Sequence, residues 1–240
     1  MAKTYHTFDN GLKIYDHHII DIQRERYKEC NVHEAEEESL FLEQLTGIKK
    51  DGVYVNVGAA VGYYSILMKM NRQDVTVHAY EPLSMHRKYM KKNIGLNGLK
   101  KQAIKTYSDA VSTEIKISRL NHKKFGSSLI NEDENYQFIA KLKGLISNNL
   151  VKTVPLDIVV SRAGGYVDLL QMDIQGHELA VLQANKDLLK SHGIKRLIIG
   201  TYSEKIHFEC ARILSEAGYT LSTDCHETKS QPDGILIGHI

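Results

Sequence analysis

Two glycines and one acid are the residues of this chain best placed to hold a ligand. Gly58 and Gly62 follow the apolar, β-branched run Val53-Tyr54-Val55-Asn56-Val57, and Tyr63-Tyr64-Ser65-Ile66 opens a helix-like run after them. A glycine turn between a strand and a helix N-terminus lets a backbone approach a ligand closely. A second short run, Val75 to Tyr80, ends in Glu81-Pro82, and Glu81 stands 23 residues after Gly58. That is near the roughly 20-residue spacing at which a carboxylate reaches a ribose diol in a βαβ unit. The glycines are spaced G-x-x-x-G, with Ala60 where a middle glycine would stand. A pyrophosphate needs G-x-G-x-x-G, so that backbone N–H groups can surround it. No Gly-Lys-Ser/Thr occurs in this turn, which argues against a phosphate-gripping loop. A ligand with a ribose and no phosphate fits best, and S-adenosylmethionine is the common one.

A second group of residues offers acid–base chemistry. Asp173 ends the apolar run from Val167, and His177 lies four residues on, in the first turn of a helix opening at Gly176. Tyr202 follows the strand-like run Arg196 to Ile199. Ligands of open α/β sheets bind beyond the carboxyl ends of the strands, so these groups are expected at the mouth of one pocket. Methyl transfer needs an acceptor atom held in line at near-attack distance, and an alcohol acceptor must also lose a proton. His177, neutral near pH 7, is the natural base, with Asp173 orienting it or the substrate. Plainer roles stay open beside these: Asp173 as a helix cap, His177 as a surface residue, Glu178 as dipole support, and Tyr202 as a loop residue.

The elements that must position these groups alternate along the chain. Residues 1–50 read as an appendage. Thr4 to Phe8 and Leu12 to Tyr15 form a hairpin around Asp9-Asn10-Gly11, and Asn31 to Leu45 forms a cap helix with acids in its first turns. This appendage is expected to pack over the cofactor pocket. Residues 51–240 read as one α/β domain. Strand 53–57 leads to helix 62–71, strand 75–80 to helix 83–97, and a third strand, about 102–107, ends at Ser108-Asp109-Ala110. Glu114 to Ser118 reads as an added edge strand. Residues 119–150 are a long, weakly patterned insertion, expected to be a lid over the acceptor. Strand 151–154, helix 156–163, strand 167–173, helix 176–189, strand 196–199 and helix 204–217 follow. A terminal pair, Tyr219–Ser222 and Ile235–His239, would add two antiparallel strands to an otherwise parallel sheet.

Three segments resemble the FkbM family of class I methyltransferases. Asn56 to Ser65 is similar to that family's first motif, D-V-G-A-N-I-G-Y-Y-S, with Asn56 for the usual acid and Ala60 for the usual Asn. Leu169 to Leu179 resembles D-L-L-K-I-D-V-E-G-x-E-L, with Gln171 for Lys and Gln175 for Glu, and Leu156-Asp157 matches a Leu-Asp pair upstream. Ile198 to Ser203, with His207 and Cys210, resembles an I-G-T-H-S segment in which Tyr202 replaces His. The acid-rich helix start at His33-Glu34 is similar too, although helix capping is an equal reading of those two residues. The resemblance implies a Rossmann-like, seven-stranded sheet, mostly parallel with an antiparallel C-terminal hairpin and helices on both faces. It implies S-adenosylmethionine as cofactor, with S-adenosylhomocysteine as product, held by Asn56, Gly58, Ala59, Gly62, Tyr63, Glu81, Pro82 and Asp173. Asp109 would meet the adenine amine, or serve as a turn residue. Some oxygen methyltransferases hold magnesium with an acid after the fourth core strand and an acidic pair after the fifth. Only Asp173 answers that pattern here, so no metal is expected.

Composition narrows the remaining choices. The 240 residues allow one α/β domain with a sizeable core. A formal net charge of +2 gives no reason to expect nucleic acid or an anionic membrane as partner. The pairs Lys91-Lys92, Lys100-Lys101 and Lys123-Lys124 read as solvated helix ends and loops. Cys30, Cys210 and Cys225 lack metal spacing, and no apolar run suits a signal peptide or a membrane span. A cytoplasmic location is the simplest expectation. The expected reaction is methylation of a hydroxyl on a natural product, sugar or glycolipid. N-methylation of peptide side-chain amides and a non-catalytic nucleotide-binding regulatory module are the competing readings, and a homodimer is left open.

Overall fold

In a computed structural model, residues 4–123, 126–130, 150–227 and 234–240 are described. The N-terminal hairpin pairs β1 (Tyr5–Thr7) with β2 (Lys13–Tyr15) in antiparallel register. Its turn places Gly11 in the left-handed region. Two helices follow, α1 (Asp21–Glu29) and α2 (Ala35–Gln44). The sequence reading assigned no element to α1. Its alternating charges and weak apolar face carry no clear helical period, and it buries only Tyr27.

The core alternates β3 (Val53–Val57), α3 (Tyr63–Asn71), β4 (Thr76–Tyr80), α4 (Ser84–Leu96) and β5 (Ile104–Tyr107). It resumes with α5 (Leu156–Arg162), β10 (Leu169–Met172), α6 (Glu178–Ala184), α7 (Lys186–Lys190), β11 (Arg196–Thr201) and α8 (Glu204–Glu216), and closes with β12 (Thr220–Cys225) and β13 (Gly234–His239). Among the described residues, seven strands form one sheet in the order β12-β13-β11-β10-β3-β4-β5. β13 runs antiparallel to both neighbours, and the other pairings are parallel. This is the seven-stranded, Rossmann-like sheet of the class I methyltransferases.

Strand alternation divides the core between the two faces. Tyr54, Leu169 and Ile198 pack on one face with Phe41 of α2, Ile66 of α3, and Met90 and Ile94 of α4. Val55, Val57, Leu170, Met172 and Leu197 pack on the other with Leu156, Val181 and Leu214, from α5, α6 and α8. Both faces are covered, so the central strands carry apolar side chains at nearly every position.

Three elements differ from the sequence reading. The edge strand expected at Glu114–Ser118 is instead β7 (Ile117–Lys123), which pairs with β8 (Gly126–Ile130) and β9 (Leu150–Val154). With β6 (Ala110–Val111) these make a separate four-stranded sheet, β6-β9-β7-β8. The first part of the expected lid is therefore a paired hairpin, whose short polar strands give little alternation to read. Residues 131–149 of that insertion lie outside the described residues. The helix expected over 176–189 is two short helices, broken at Asn185, whose side chain bonds back to the Val181 carbonyl.

The N-terminal segment is fastened to α3 by a buried polar network. Tyr63 Oη donates to Glu38 Oε2 at 2.6 Å, and Asn10 Nδ2 donates to Tyr63 Oη and to Glu38 Oε1, each at 2.8 Å. His33 stacks on the Tyr63 ring, with centroids 4.5 Å apart. Burial, aided by Arg26, pushes the His33 imidazole down to about 4, so it is neutral at pH 7. Glu34 holds the N-cap position of α2 without a side-chain cap bond. Its Oε2 instead accepts from Tyr64 Oη at 3.3 Å, so capping is not what its side chain does. Tyr63→Phe removes a hydroxyl that serves Glu38 and Asn10 together. It should destabilise the protein by ~1–3 kcal/mol in urea titration; an unchanged midpoint would show that the network adds nothing to docking of the cap.

Candidate functional site

The parallel strands β3, β4 and β10 end side by side, and their ends build the site. Val57, the last residue of β3, pairs with Tyr80 of β4 and Met172 of β10. Gly58 follows at φ 85°, and a Cβ there would lie 1.9 Å from the Asp173 carbonyl oxygen. No other residue fits between those two strand ends. Ala60 holds φ 44° and Gly62 φ 95°. Alanine in the left-handed region is strained, and Asn, which stands there in the family motif, tolerates it better. A Cβ on Gly62 would meet Met90 Cγ at 2.5 Å, so this glycine also lets α3 close on α4.

Glu81 completes the turn. Its carboxylate is buried, with Oε2 accepting from Ala60 N–H at 2.9 Å and Oε1 from Leu83 N–H at 2.8 Å. Gly58 and Ala59 donate to the Tyr80 carbonyl, both at 3.0 Å, which locks the turn against the end of β4. Pro82 continues the chain into α4, and Arg87 Nη1 reaches back to the Glu81 and Pro82 carbonyls. Asn56 faces the buried side of the sheet, where Nδ2 donates to Ser65 Oγ at 3.0 Å. Tyr63 turns its hydroxyl to the N-terminal network described above. The side chains of Asn56 and Tyr63 therefore support the turn, and only their neighbours' backbone faces the strand ends.

Asp109 is held elsewhere: Arg162 Nη1 donates to its Oδ2 at 2.6 Å. The same guanidinium lies 5.5 Å from the Tyr107 ring, and Tyr107 stacks on Tyr80 with centroids 4.5 Å apart. An ion pair that competes for the carboxylate weakens the reading of Asp109 as an adenine partner. The stacked tyrosines and Arg162 are what the sequence reading missed at this edge of the site.

On the other flank, Asp173 N–H donates to the Val57 carbonyl at 3.1 Å. Its side chain passes beside Gly200, where an added Cβ would lie 3.4 Å from Asp173 Cβ. Gln175 and Gly176 turn the chain at φ 62° and 95°. His177 Nε2 is 3.0 Å from Ser112 Oγ, at the start of the second sheet. Burial, with Lys116 adding to it, lowers the His177 pKa and keeps the ring neutral at pH 7. Asp173 and His177 thus stand on either side of one tight turn, and His177 is engaged with Ser112. Tyr202 is part-exposed, with its Cβ 3.9 Å from where a Gly176 Cβ would be. Behind it, Thr201 Oγ1 is 2.8 Å from His207 Nδ1, and His207 Nε2 is 2.6 Å from Asp224 Oδ1. This chain ties the end of β11 to β12. Among the described residues no cluster of three or more His, Cys, Asp or Glu suits a metal ion.

Glu178 holds the Asp173–Gly176 turn from inside. Its Oε1 accepts from Ile174 N–H at 2.7 Å and Gly176 N–H at 3.3 Å, and the side chain is fully buried. Burial, with Asp173 adding to it, pushes its pKa up to about 7. A folded pKa above the ordinary value of 4.5 means stability that is present below about pH 4.5 and is lost as pH rises through about 7. Glu178→Gln keeps an acceptor for the two N–H groups and removes the titration. Urea titrations at pH 5 and pH 8 should show wild type losing up to about 3 kcal/mol more than the variant over that interval. Equal losses would place the titrating group elsewhere.

The sequence profile of the FkbM methyltransferase domain matches residues 56–221. A candidate methyltransferase from Jannaschia sp. (strain CCS1) is 31% identical over 107 residues, covering 41% of this chain and 37% of that protein. Methyltransferase FkbM from Methylobacillus flagellatus KT superposes with a TM-score of 0.52 at 14% identity, over 79% of this chain and 44% of that one. Magnesium protoporphyrin IX methyltransferase from Synechocystis PCC 6803, solved with bound S-adenosylmethionine, gives 0.50 at 11% identity, over 84% and 76% of the two chains. The two structural likenesses speak to the fold. The chain spans under half the length of the Jannaschia and Methylobacillus proteins it matches.

Proposed function

The chain belongs to the FkbM methyltransferase domain family, and from that premise we propose that it transfers the methyl group of S-adenosylmethionine to a hydroxyl of a small-molecule acceptor, such as a natural product, sugar or glycolipid. The observation that carries this reading is the fit between Glu81 and the Gly58–Gly62 turn. Each Glu81 oxygen accepts one backbone N–H, and a carboxylate has about four acceptor sites. His86 Nδ1 lies 3.5 Å from Oε1, so the acceptor capacity left for a ribose hydroxyl is chiefly on Oε2. At the turn beside it a Cβ on Gly58 would collide with the Asp173 carbonyl, which keeps the backbone bare at the strand ends, and the glycine spacing is wrong for a pyrophosphate.

The cofactor supplies a methyl group already activated by its sulfonium. What this chain must add is position and a proton acceptor. Gly58, Ala59 and Gly62, whose N–H groups are bonded within the turn, allow the ligand a close approach without side chains in the way, and Glu81 holds the ribose. Asp173, at the joint of β3, β10 and β11, orients the acceptor. His177, kept neutral by its surroundings, takes the hydroxyl proton, and its bond to Ser112 fixes the ring. Tyr202 closes the acceptor side. The loop Gly200 to Ser203 contains no acidic pair, so transfer should survive chelation of divalent ions.

Label from the cofactor's methyl group should appear on hydroxyl-bearing acceptors in a panel that also contains Asn- and Gln-bearing peptides. Asp173→Asn and His177→Ala should each lower kcat at least ~10²-fold, the scale of a general base. Affinity for S-adenosylhomocysteine should stay near the wild-type value. Label confined to peptide amides would replace the hydroxyl reading. Normal turnover by both variants would move proton removal away from this pair, and activity lost to chelation and restored by magnesium would make Asp173 a metal ligand.

A further inference from the structure

The near-neutral total charge conceals a segregation. Between Pro82 and Ser108 there are seven Lys or Arg and no Asp or Glu, while the rest of the chain carries 24 cations against 29 acids. The fold brings three of the seven together. Lys91 and Lys92 on α4 and Lys101 after it line one open cavity of about 940 Å³ with Tyr15, Gly95 and Leu96. No acid lines it. The cavity lies at the C-terminal end of α4, opposite the strand ends that build the candidate site, because a crossover helix runs antiparallel to its strands.

Tyrosine rings lie beside two lysines of this face. Lys92 Nζ lies 5.7 Å from the Tyr89 ring and Lys13 Nζ lies 5.4 Å from the Tyr5 ring. Tyr89 stacks on His18, centroids 3.9 Å apart, which joins α4 to the segment after the hairpin. That segment runs directly into Ile20 and Ile22, which are exposed, Ile22 by 55%, as is Tyr5. Nothing in the core needs these apolar groups outside. Lysines with interleaved tyrosine and isoleucine suit the boundary between lipid headgroups and acyl chains, where cations meet phosphate and the apolar groups are covered. Nucleic acid would account for the lysines but leave the two isoleucines exposed.

We propose that this face, formed by β1, β2, the segment 16–22 and α4, docks the protein peripherally on an anionic membrane surface, with the candidate site held on the opposite end. No helix among the described residues is long and apolar enough to cross a membrane, so attachment is reversible and at the surface. The inference is independent of the methyl acceptor.

The 240-residue chain would be sedimented with vesicles of phosphatidylglycerol mixed into phosphatidylcholine, and with phosphatidylcholine alone, at low and high salt. Binding should require the anionic lipid and fall with salt. The triple variant Lys91→Gln, Lys92→Gln, Lys101→Gln should bind about 100-fold more weakly, at roughly five-fold per lysine near the surface. The same three positions changed to Arg should retain binding, and Ile22→Ser should weaken it. S-adenosylhomocysteine affinity, unchanged in every variant, reports that each is folded. No preference for the anionic vesicles, binding unaffected in the Gln variant, or tighter lysine-dependent binding to an RNA of equal charge would each overturn the proposal.

Discussion

The whole site depends on one close approach. Two parallel strands, β3 and β10, end so near each other that the Gly58 α-carbon faces the Asp173 carbonyl with no room for a side chain. Backbone bonds hold that geometry, from Asp173 N–H to Val57 and from Gly58 and Ala59 to Tyr80. Three strand ends are thereby locked into one rim. Glu81, the Ala60 N–H and Asp173 take their positions from that lock.

The two flanks of the rim are supported differently. The turn after β3 is held from below by Asn56 with Ser65 and from the side by the Tyr63–Glu38–Asn10 network. The turn after β10 is held from inside by Glu178. Glu38 and Glu178 are both buried carboxylates bonded to N–H or O–H donors. Burial of this kind costs stability unless the bonds are made, so the N-terminal segment and the α6 turn are tied to the correctness of the rim. The left-handed Ala60 and Gln175 are local strains that the same supports hold in place.

Much of this was legible in the sequence. The glycine spacing, the strand-ending Glu81 and the apolar runs gave the sheet and the turn at its strand ends, because backbone requirements at Gly58 and continuous β-branched runs leave little choice of residue. The hairpin signal at Asn10-Gly11 held for the same reason. The second sheet was not legible: β7 and β8 carry polar residues, and their pairing with β9 is set by contacts distant in sequence. Side-chain partners were equally hidden. Asp109 gave no sign of its ion pair with Arg162, 53 residues on, and His177 gave no sign of Ser112. Charge was misleading in the aggregate, since a sum of +2 averages a basic α4 face with an acidic remainder.

The central claim is that the Gly58–Glu81 rim takes a ribosyl ligand without a pyrophosphate, and calorimetric titration tests it most directly. S-adenosylmethionine and S-adenosylhomocysteine should bind one to one, NAD and FAD should give no heat of binding, and Glu81→Ala should weaken the first two by ~1.5–3 kcal/mol, the worth of hydrogen bonds to a charged acceptor. Saturable NAD binding with no response to S-adenosylmethionine, or affinity indifferent to Glu81, would contradict the account.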